Sequence, residues 1–214
     1  PICIANGIFA GTPVPVGGKY GLASKSPLTG FIGDSLSGSW FPIALKRAGW
    51  DGVVLHGASA EWVNVFIDDK RVQFRDATSL LGLNTFETEE AIREELGDDQ
   101  VRSATIGPAG ENGVIIANVT NDGRQAGRTG QGAVWGSKKL KALSVRGTYG
   151  VTVADPETLM KLSYDITQAS QGPHTEKYRV LGTVANVLNM DKLGLLPTRN
   201  YQEGTFEDAE LVSG

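Results

Sequence analysis

Residues 121–147 read NDGRQAGRTGQGAVWGSKKLKALSVRG: a glycine-rich stretch with two arginines, then a short amphipathic run and an apolar strand. Glycine lets backbone N–H groups come close to a ligand, and the forked guanidinium groups of Arg124 and Arg128 suit a phosphate or another flat, anionic group. A helix starting near Gln131 would place its positive end beside the same ligand. The alternative is a set of tight turns in a β-rich domain, with both arginines solvated.

Two more loops have the same composition: PVGGKYGLASKSPLTG at residues 15–30 and GDSLSGSW at residues 33–40. Asp34 in the second loop is a candidate ligand contact, although aspartate is also a common turn residue. The first loop is not a nucleotide-binding P-loop, because Lys19 is followed by Tyr20 instead of serine or threonine. The three loops together predict contact with an anionic group, but their composition does not identify which one.

The chain before residue 150 is predicted to consist of strands with a few helices inserted. The stretch EWVNVFIDDKRVQFRDA (61–77) alternates apolar and polar residues on both sides of a turn, which predicts a β-hairpin. The stretch NTFETEEAIREELGDD (84–99) predicts a helix capped by Thr85 and ended by Gly97. PAGEN (108–112) is predicted to be a loop between two strands. Strands and helices do not alternate regularly, which disfavours a doubly wound sheet.

After residue 150 the pattern becomes helical. ADPETLMKLSYDITQAS (154–170) begins with Asp155 as a predicted N-cap and a proline at the first helical position. RVLGTVANVLNMDKL (179–193) predicts a second helix, ended by Gly194. We therefore predict an α+β fold with two domains, a β-rich part over residues 1–149 and the beginning of a helical domain over residues 150–214. The last part is too short to hold a core of its own.

Composition excludes several classes of function. The chain has 24 acidic and 20 basic residues, so we expect no nucleic-acid partner. No apolar run is long enough to span a membrane.

Cys3 is the only cysteine, which excludes an internal disulfide and favours a reducing, cytoplasmic setting. We expect Cys3 to be a buried apolar residue. His56 and His174 do not have metal-ligand spacing. Tryptophans 40, 50 and 135 are expected in the core or an interface.

Two long segments resemble one family. SKSPLTGFIGDSLSGSWFPIALKRAGWDGVVLHG (24–57) and ATIGPAGENGVIIANVTNDGRQAGRTGQGAVWGSKKLKALSVRG (104–147), with the hairpin between them, are similar to the N-terminal domain of the tungsten-containing aldehyde ferredoxin oxidoreductases. The resemblance continues more faintly through residues 182–204. It implies β-sheets that form a saddle under a tungsten or molybdenum bis-pyranopterin cofactor, followed by helical domains. The metal is then held chiefly by dithiolene sulfurs, so this chain need not supply cysteine or histidine ligands.

The resemblance also implies which residues contact the cofactor. The positions that match the family's pterin contacts are Lys19, Leu36, Gly38, Arg124, Gln125, Gly127 and Arg128. A magnesium ion joining the two pterin phosphates would be held partly by the backbone carbonyls of Leu36 and Gln125. The chain departs from the family at Lys19, where arginine is usual, and at Leu36, where asparagine is usual. It is also one residue shorter just before Arg124.

For the whole enzyme, the resemblance implies oxidation of an aldehyde by water to a carboxylic acid. Electrons would leave through a [4Fe-4S] cluster to ferredoxin or another electron-transfer subunit, and a homodimer is possible. The cluster cysteines and proton-handling residues would lie outside this chain. We therefore expect the chain to be the cofactor-seating part of a longer enzyme, inactive alone. The alternatives are a noncatalytic pterin- or phosphate-binding module, or a degenerate paralogue, and a plain β-rich interaction domain.

Overall fold

The computed structural model describes all 214 residues, which form two compact units, Pro1–Leu159 and Met160–Gly214. The predicted domain boundary near residue 150 stays a prediction. The first unit contains, in chain order, β1 (Ile2–Asn6), β2 (Lys19–Lys25), β3 (Ile32–Gly38), α1 (Trp40–Arg47), β4 (Gly52–Leu55), β5 (Val63–Asp68), β6 (Arg71–Asp76), α2 (Thr85–Leu96), β7 (Arg102–Thr105), α3 (Pro108–Glu111), β8 (Val119–Asn121), β9 (Arg124–Ala126), α4 (Gln131–Ser137) and β10 (Leu140–Arg146). The α+β class, with helices after the sheets, is confirmed.

The first sheet is antiparallel, with strand order β3-β2-β1-β4. Its inner face is buried, with apolar residues such as Ile4 and Leu22 on β1 and β2 and the serines Ser35 and Ser37 on β3. Its outer face carries small residues at neighbouring positions, since Cys3 pairs with Ala23 and Ala5 pairs with Gly21. The expectation that Cys3 is buried is therefore wrong: strict alternation along β1 directs it to the exposed face.

The second sheet has strand order β6-β5-β10-β7-β8-β9. Strand β10 lies parallel to β5 and antiparallel to β7, and it is buried almost along its whole length, as expected for a central strand. The predicted hairpin over residues 61–77 is confirmed as β5 and β6, with Asp69 at a φ of 51° in the turn. Apolar residues of both sheets and Trp135 of α4 form the main core.

Two local predictions in the first unit are wrong. The cap of α2 is Asn84 instead of Thr85, because the Asn84 side chain accepts from the N–H groups of Phe86 and Glu87 while Glu87 bonds back to the Asn84 N–H. Gly97 ends this helix in the left-handed conformation, as predicted. PAGEN is not a plain loop: Pro108 starts the short helix α3.

Helices α3 and α4 pack backbone against backbone. A Cβ atom added to Gly136 would lie 1.9 Å from the carbonyl oxygen of Gly110, so only glycine fits at position 136. This contact holds α3, which lies between β7 and β8, against α4. Strand β8 has only three residues, Val119–Asn121.

The second unit is helical. Helix α5 (Pro156–Ala169) begins in the first unit and is capped by Asp155, whose Oδ1 accepts from the Thr158 N–H at 3.0 Å. It is followed by α6 (Pro173–Val180) and α7 (Val187–Lys192). The single helix predicted over residues 179–193 is wrong, because Gly182 adopts a φ of 71° and a 3-10 turn separates α6 from α7. No helix of the protein has both the length and the apolar character needed to cross a membrane.

Candidate functional site

The edges of the two sheets meet at β3 and β9, and side chains tie the two edges together. The Arg128 N–H donates to Ser35 Oγ at 3.2 Å, and Gln131 Nε2 donates to the Gly33 carbonyl at 2.9 Å. Gln131 Oε1 also accepts from Ser24 Oγ at 2.7 Å. The three glycine-rich loops of the sequence are therefore held at one junction.

Two neighbouring cavities open at this junction. The first has a volume of about 600 Å³. Its lining includes Lys19, Leu36, Gly38, Arg124 and Gln125. The second, of about 830 Å³, is lined by Gly127 and Arg128 and shares Leu36 and Gln125 with the first. All seven residues carried over from the family resemblance therefore line this pair of cavities, and Asp34 lines the second.

The basic side chains of the two cavities have no protein partner. Lys19, Arg124 and Arg128 are exposed, and no carboxylate lies within ion-pair distance of any of them. None of their side-chain nitrogens donates a hydrogen bond to the protein. Three cations whose donors are all free can bind one shared anionic ligand without first breaking an ion pair.

The backbone beside these cations is open to a flat ligand. The outer face of the first sheet presents small side chains at Ala5, Gly21 and Ala23, with the exposed side chain of Leu36 opposite Gly21, so a planar ring can approach the main chain beside Leu36. Within the first cavity, a Cβ at Gly38 would stand 2.8 Å from both the Gly18 carbonyl oxygen and Lys19 Cδ. A residue larger than glycine at position 38 would therefore displace the Lys19 side chain.

A buried amide fixes the floor of the first cavity. Asn121 Oδ1 accepts from the Tyr20 hydroxyl at 2.8 Å and from Ser37 Oγ at 2.9 Å, and its Nδ2 donates to Ser39 Oγ. These bonds join β8 to the first sheet. Burial raises the pKa of Tyr20, so its hydroxyl stays protonated and keeps donating. The Asn121 network was not predicted from the sequence.

Asp122 and Gly123 form the turn between β8 and β9, with φ values of 45° and 71°. A two-residue turn with both φ values positive is the type that Asp-Gly favours, and it places Arg124 at the start of β9. Asp122 Oδ2 accepts from the N–H groups of Trp40 at 3.2 Å and Phe41 at 3.1 Å. Asp122 therefore caps α1 from a distant part of the chain and holds the turn against the cavity.

Glu89 of α2 supports this turn from the buried side. Its Oε1 accepts from the Asp122 N–H at 3.1 Å, and only 4 % of the residue is exposed. Burial, and next the negative charge of Asp122, raise the pKa of Glu89 to about 7, and Arg93 and Arg102 offset part of this rise. Glu89 belongs to an acidic run whose other members are solvated or half-buried, but its own side chain is buried because this face of α2 packs against the turn.

Of the three tryptophans expected in the core or an interface, Trp135 is fully buried and Trp50 is half-buried in the core, while Trp40 is 62 % exposed and lines the first cavity. One further expectation is corrected at the site. Helix α4 does begin at Gln131, but its positive end is not available to a ligand. The Gly132 N–H donates to the Ala117 carbonyl at 2.9 Å, and Gln131 is fully buried.

Comparison with known proteins gives a consistent result. The family model described as the aldehyde ferredoxin oxidoreductase N-terminal domain matches residues 1–147. Tungsten-containing aldehyde ferredoxin oxidoreductases of Thermococcus kodakarensis and Pyrococcus abyssi are each 44 % identical over 219 residues, covering 100 % of this chain and 36 % of the relative. The WOR-like subunit of an aliphatic sulfonate oxidoreductase of Pyrococcus furiosus is 30 % identical over 210 residues, covering 91 % and 33 %.

A solved structure agrees with these relatives. The active site complex BamBC of benzoyl coenzyme A reductase, bound to 1,5-dienoyl-CoA, matches with a TM-score of 0.79 at 34 % identity, over 84 % of this chain and 27 % of the other. The chain spans about 36 % of the length of the two aldehyde ferredoxin oxidoreductases named above. On the family model and these identities, the chain belongs to the aldehyde ferredoxin oxidoreductase family and carries its N-terminal domain.

Proposed function

We propose that the two cavities at the junction of β3 and β9 seat the phosphate-bearing ends of a tungsten, or molybdenum, bis-pyranopterin cofactor. The observation that carries the proposal is the convergence of three partnerless cations, Lys19, Arg124 and Arg128, beside an open sheet face. The chemistry of this donor set fits the group: guanidinium forks match phosphate oxygens, and small residues accept a flat ring.

Each residue has a distinct part in this proposal. Arg124 and Arg128 bind phosphate through paired N–H donors, while Lys19 acts as a single positive charge and grips phosphate less specifically. Gly38 and Gly127 keep the main chain accessible. Leu36 and Gln125 lie on edge strands, where alternate carbonyls point away from the sheet and can reach a magnesium ion.

Gln125 is suited to act through its main chain. Its side-chain Oε1 already accepts from Asn118 Nδ2 at 2.7 Å, which holds the amide group away from a ligand role. The structure contains no group of three or more His, Cys, Asp or Glu side chains that could hold a metal ion. In this proposal the catalytic metal is held by the dithiolene sulfurs of the pterins, so the chain need not supply metal ligands from its side chains.

For the whole protein, we propose an oxidoreductase that converts an aldehyde to a carboxylic acid. When bound, the metal cofactor supplies the redox centre, and two electrons leave through a [4Fe-4S] cluster to ferredoxin or another electron-transfer subunit. The proposal includes a cytoplasmic enzyme that pairs with a second copy. It is supported by the names of the relatives that are 44 % identical to this chain. Because other relatives are named for different substrates, the proposal assigns the shared domain to cofactor binding instead of substrate choice.

The test compares two arginine variants of the full-length protein. Arg128→Ala removes a guanidinium from the second cavity, and Arg71→Ala removes an equally partnerless arginine from the β6 edge, outside both cavities. We expect Arg128→Ala to lose about 2 kcal/mol of cofactor binding free energy, the usual contribution of a hydrogen bond to a charged group. Tungsten or molybdenum and oxidised pterin are measured per protein in each variant.

Equal metal and pterin content in Arg128→Ala and the parent would contradict the proposed seat. A parent protein without tungsten, molybdenum or pterin would contradict the cofactor itself. Pterin binding without oxidation of any aldehyde, assayed with an artificial electron acceptor, would select the noncatalytic pterin- or phosphate-binding module. The aldehyde assay is included because Lys19 and Leu36 differ from the arginine and asparagine that are usual in the family at these positions.

A further inference from the structure

A third cavity, of about 150 Å³, lies beside helix α1 and the ends of β7 and β10. It meets the first cavity only at Trp40, which lines both. The lining side chains include Trp40, Ile43, Arg47, Gln100, Arg102 and Arg146. Three of them are arginines from three different elements: α1, β7 and β10. We call this space the arginine cavity.

The arginine cavity has more positive than negative charge. Arg146 pairs with Asp98, with Nε 2.6 Å from Oδ2. Arg102 lies only loosely near Asp122, at 3.9 Å from Oδ1. Arg47 has no carboxylate within ion-pair distance, and its one contact is a long bond of 3.5 Å from Nε to the Tyr149 carbonyl.

Several guanidinium donors in this cavity remain free. Arg102 uses Nη1 on the Asp99 and Val101 carbonyls, and Arg146 uses Nη1 on the Gly147 carbonyl. Each guanidinium has more N–H groups than these bonds consume. The three arginines that line this small space therefore keep unused donors.

The end of helix α1 does not oppose an anion here. A helix C-terminus carries partial negative charge on its free carbonyls. In α1 those carbonyls are occupied: Leu45 accepts from the Trp50 N–H at 3.1 Å, Lys46 from the Gly49 N–H at 2.9 Å, and Arg47 from the Tyr149 N–H at 2.8 Å. The positive charge of the arginines is thus not cancelled from the helix side.

We propose that the arginine cavity binds a phosphate group, either as inorganic phosphate or as the terminal phosphate of a small organic molecule. The volume is below the range of roughly 300–1,000 Å³ that encloses a drug-sized ligand, so only a small anion or the end of a larger one fits inside. Donors from three sides match the several oxygens of phosphate better than the two oxygens of a carboxylate. This proposal does not depend on the proposed cofactor.

The test is a calorimetric titration of the full-length protein with inorganic phosphate at constant ionic strength. The informative variant is Arg47→Ala, because Arg47 is exposed and makes one long bond, so its loss leaves folding intact. We expect phosphate binding to weaken about tenfold or more, as for the loss of one charge-assisted hydrogen bond. Arg47→Lys, which keeps the charge and loses the fork, should give an intermediate loss.

Two control variants separate this cavity from other basic regions. Arg128→Ala affects only phosphate bound at the proposed cofactor seat, so the component of binding that Arg47→Ala weakens and Arg128→Ala keeps belongs to the arginine cavity. Arg71→Ala should have no effect. The thermal midpoint without phosphate, measured for every variant, verifies that each one folds. Failure of the cofactor proposal would appear in metal and pterin content, whereas failure of this proposal would appear as equal phosphate binding by Arg47→Ala and the parent.

Different ligands identify the source of the phosphate. Tighter binding of glycerol 3-phosphate than of inorganic phosphate would indicate an organic phosphate, and equal or weaker binding would indicate the free ion. The proposal is overturned if the parent gives no binding heat with phosphate, if Arg47→Ala binds phosphate as well as the parent, or if acetate binds as tightly as phosphate.

Discussion

Lys141 and Arg128 belong to adjoining segments of the chain, yet the structure treats their charges in opposite ways. Lys141 is fully buried, and its ammonium group donates to Glu111 and to the Leu83 carbonyl. Arg128 is exposed and its side chain bonds to nothing in the protein. The buried charge of Lys141 has an ion-pair partner and a hydrogen-bond acceptor in the protein, whereas the charge of Arg128 at the candidate site has neither. We call the first kind of charge saturated and the second kind free. A partnerless charge at a cavity is therefore a better indicator of ligand binding here than charge alone.

The largest expected effect is at the saturated pair. Lys141→Met removes the cation that pairs with Glu111. The Glu111 side chain is only 11 % exposed, so its carboxylate is left nearly buried without an opposite charge. We expect the free energy of unfolding to fall by about 3 kcal/mol, because breaking a buried pair leaves an uncompensated charge. Burial lowers the pKa of Lys141, and the bond to Glu111 offsets this, which agrees with a charged pair that depends on its geometry. Urea unfolding measures the difference.

A double variant, Lys141→Met with Glu111→Leu, is the matched control. Replacing both charges by apolar side chains removes the unpaired carboxylate and should recover much of the lost stability. If Lys141→Met alone is as stable as the parent, the Lys141–Glu111 pair does not stabilise the fold, and the contrast between saturated and free charges is contradicted.

Glu89 lies between these two extremes, and its effect depends on pH. Its pKa is raised from the ordinary 4.5 to about 7, by burial first and by Asp122 second, so the folded chain holds this proton more tightly than the unfolded chain. The corresponding stability is full below pH 4.5 and is lost as the pH rises to about 7. Glu89→Gln has no such loss, so it should gain about 1–3 kcal/mol on the parent between acid and neutral pH.

The measurement is the difference in unfolding free energy between Glu89→Gln and the parent, taken at about pH 5 and about pH 8. Groups common to both proteins, including the nearby Arg93 and Arg102, cancel in this difference. A difference that stays constant with pH would show that Glu89 titrates as an ordinary surface carboxyl, contrary to its burial.

The smallest expected effect on stability is at the free charges. Arg124→Ala and Arg128→Ala in the cofactor-free protein should change the free energy of unfolding by less than about 0.5 kcal/mol, as for surface residues without partners. Combined with a loss of cofactor content, this result would separate a ligand-binding role from a structural one. A loss of stability comparable to that of Lys141→Met would place these arginines in the fold instead.

Much of the fold was predictable from local patterns. The β5–β6 hairpin, α4, β10 and the α5 cap follow from alternation, glycine positions and capping residues that act within a few positions along the chain. The capping error at Thr85 has a local cause, since Asn84 offers a better cap together with Glu87. The break at Gly182 also has a local cause. A glycine within a helical pattern does not by itself predict a break, but here Gly182 adopts a positive φ, which a regular helix does not contain.

The candidate site was predictable in composition but not in its supports. Free arginines and glycines are visible in the sequence, and the family resemblance gave their positions. The bonds from Asn121 to Tyr20 and from Asp122 to the start of α1 span about a hundred and about eighty residues respectively. No periodicity reports a contact over such a separation, and the Asp-Gly pair favours only the local turn between β8 and β9.

Trp40 lines both the first cavity of the candidate site and the arginine cavity. A ligand in either cavity changes the surroundings of the same fluorophore. In a protein whose other tryptophans are replaced by phenylalanine, the emission of Trp40 would report occupancy of both cavities, and titrating one ligand in the presence of the other would reveal whether the two binding events are independent.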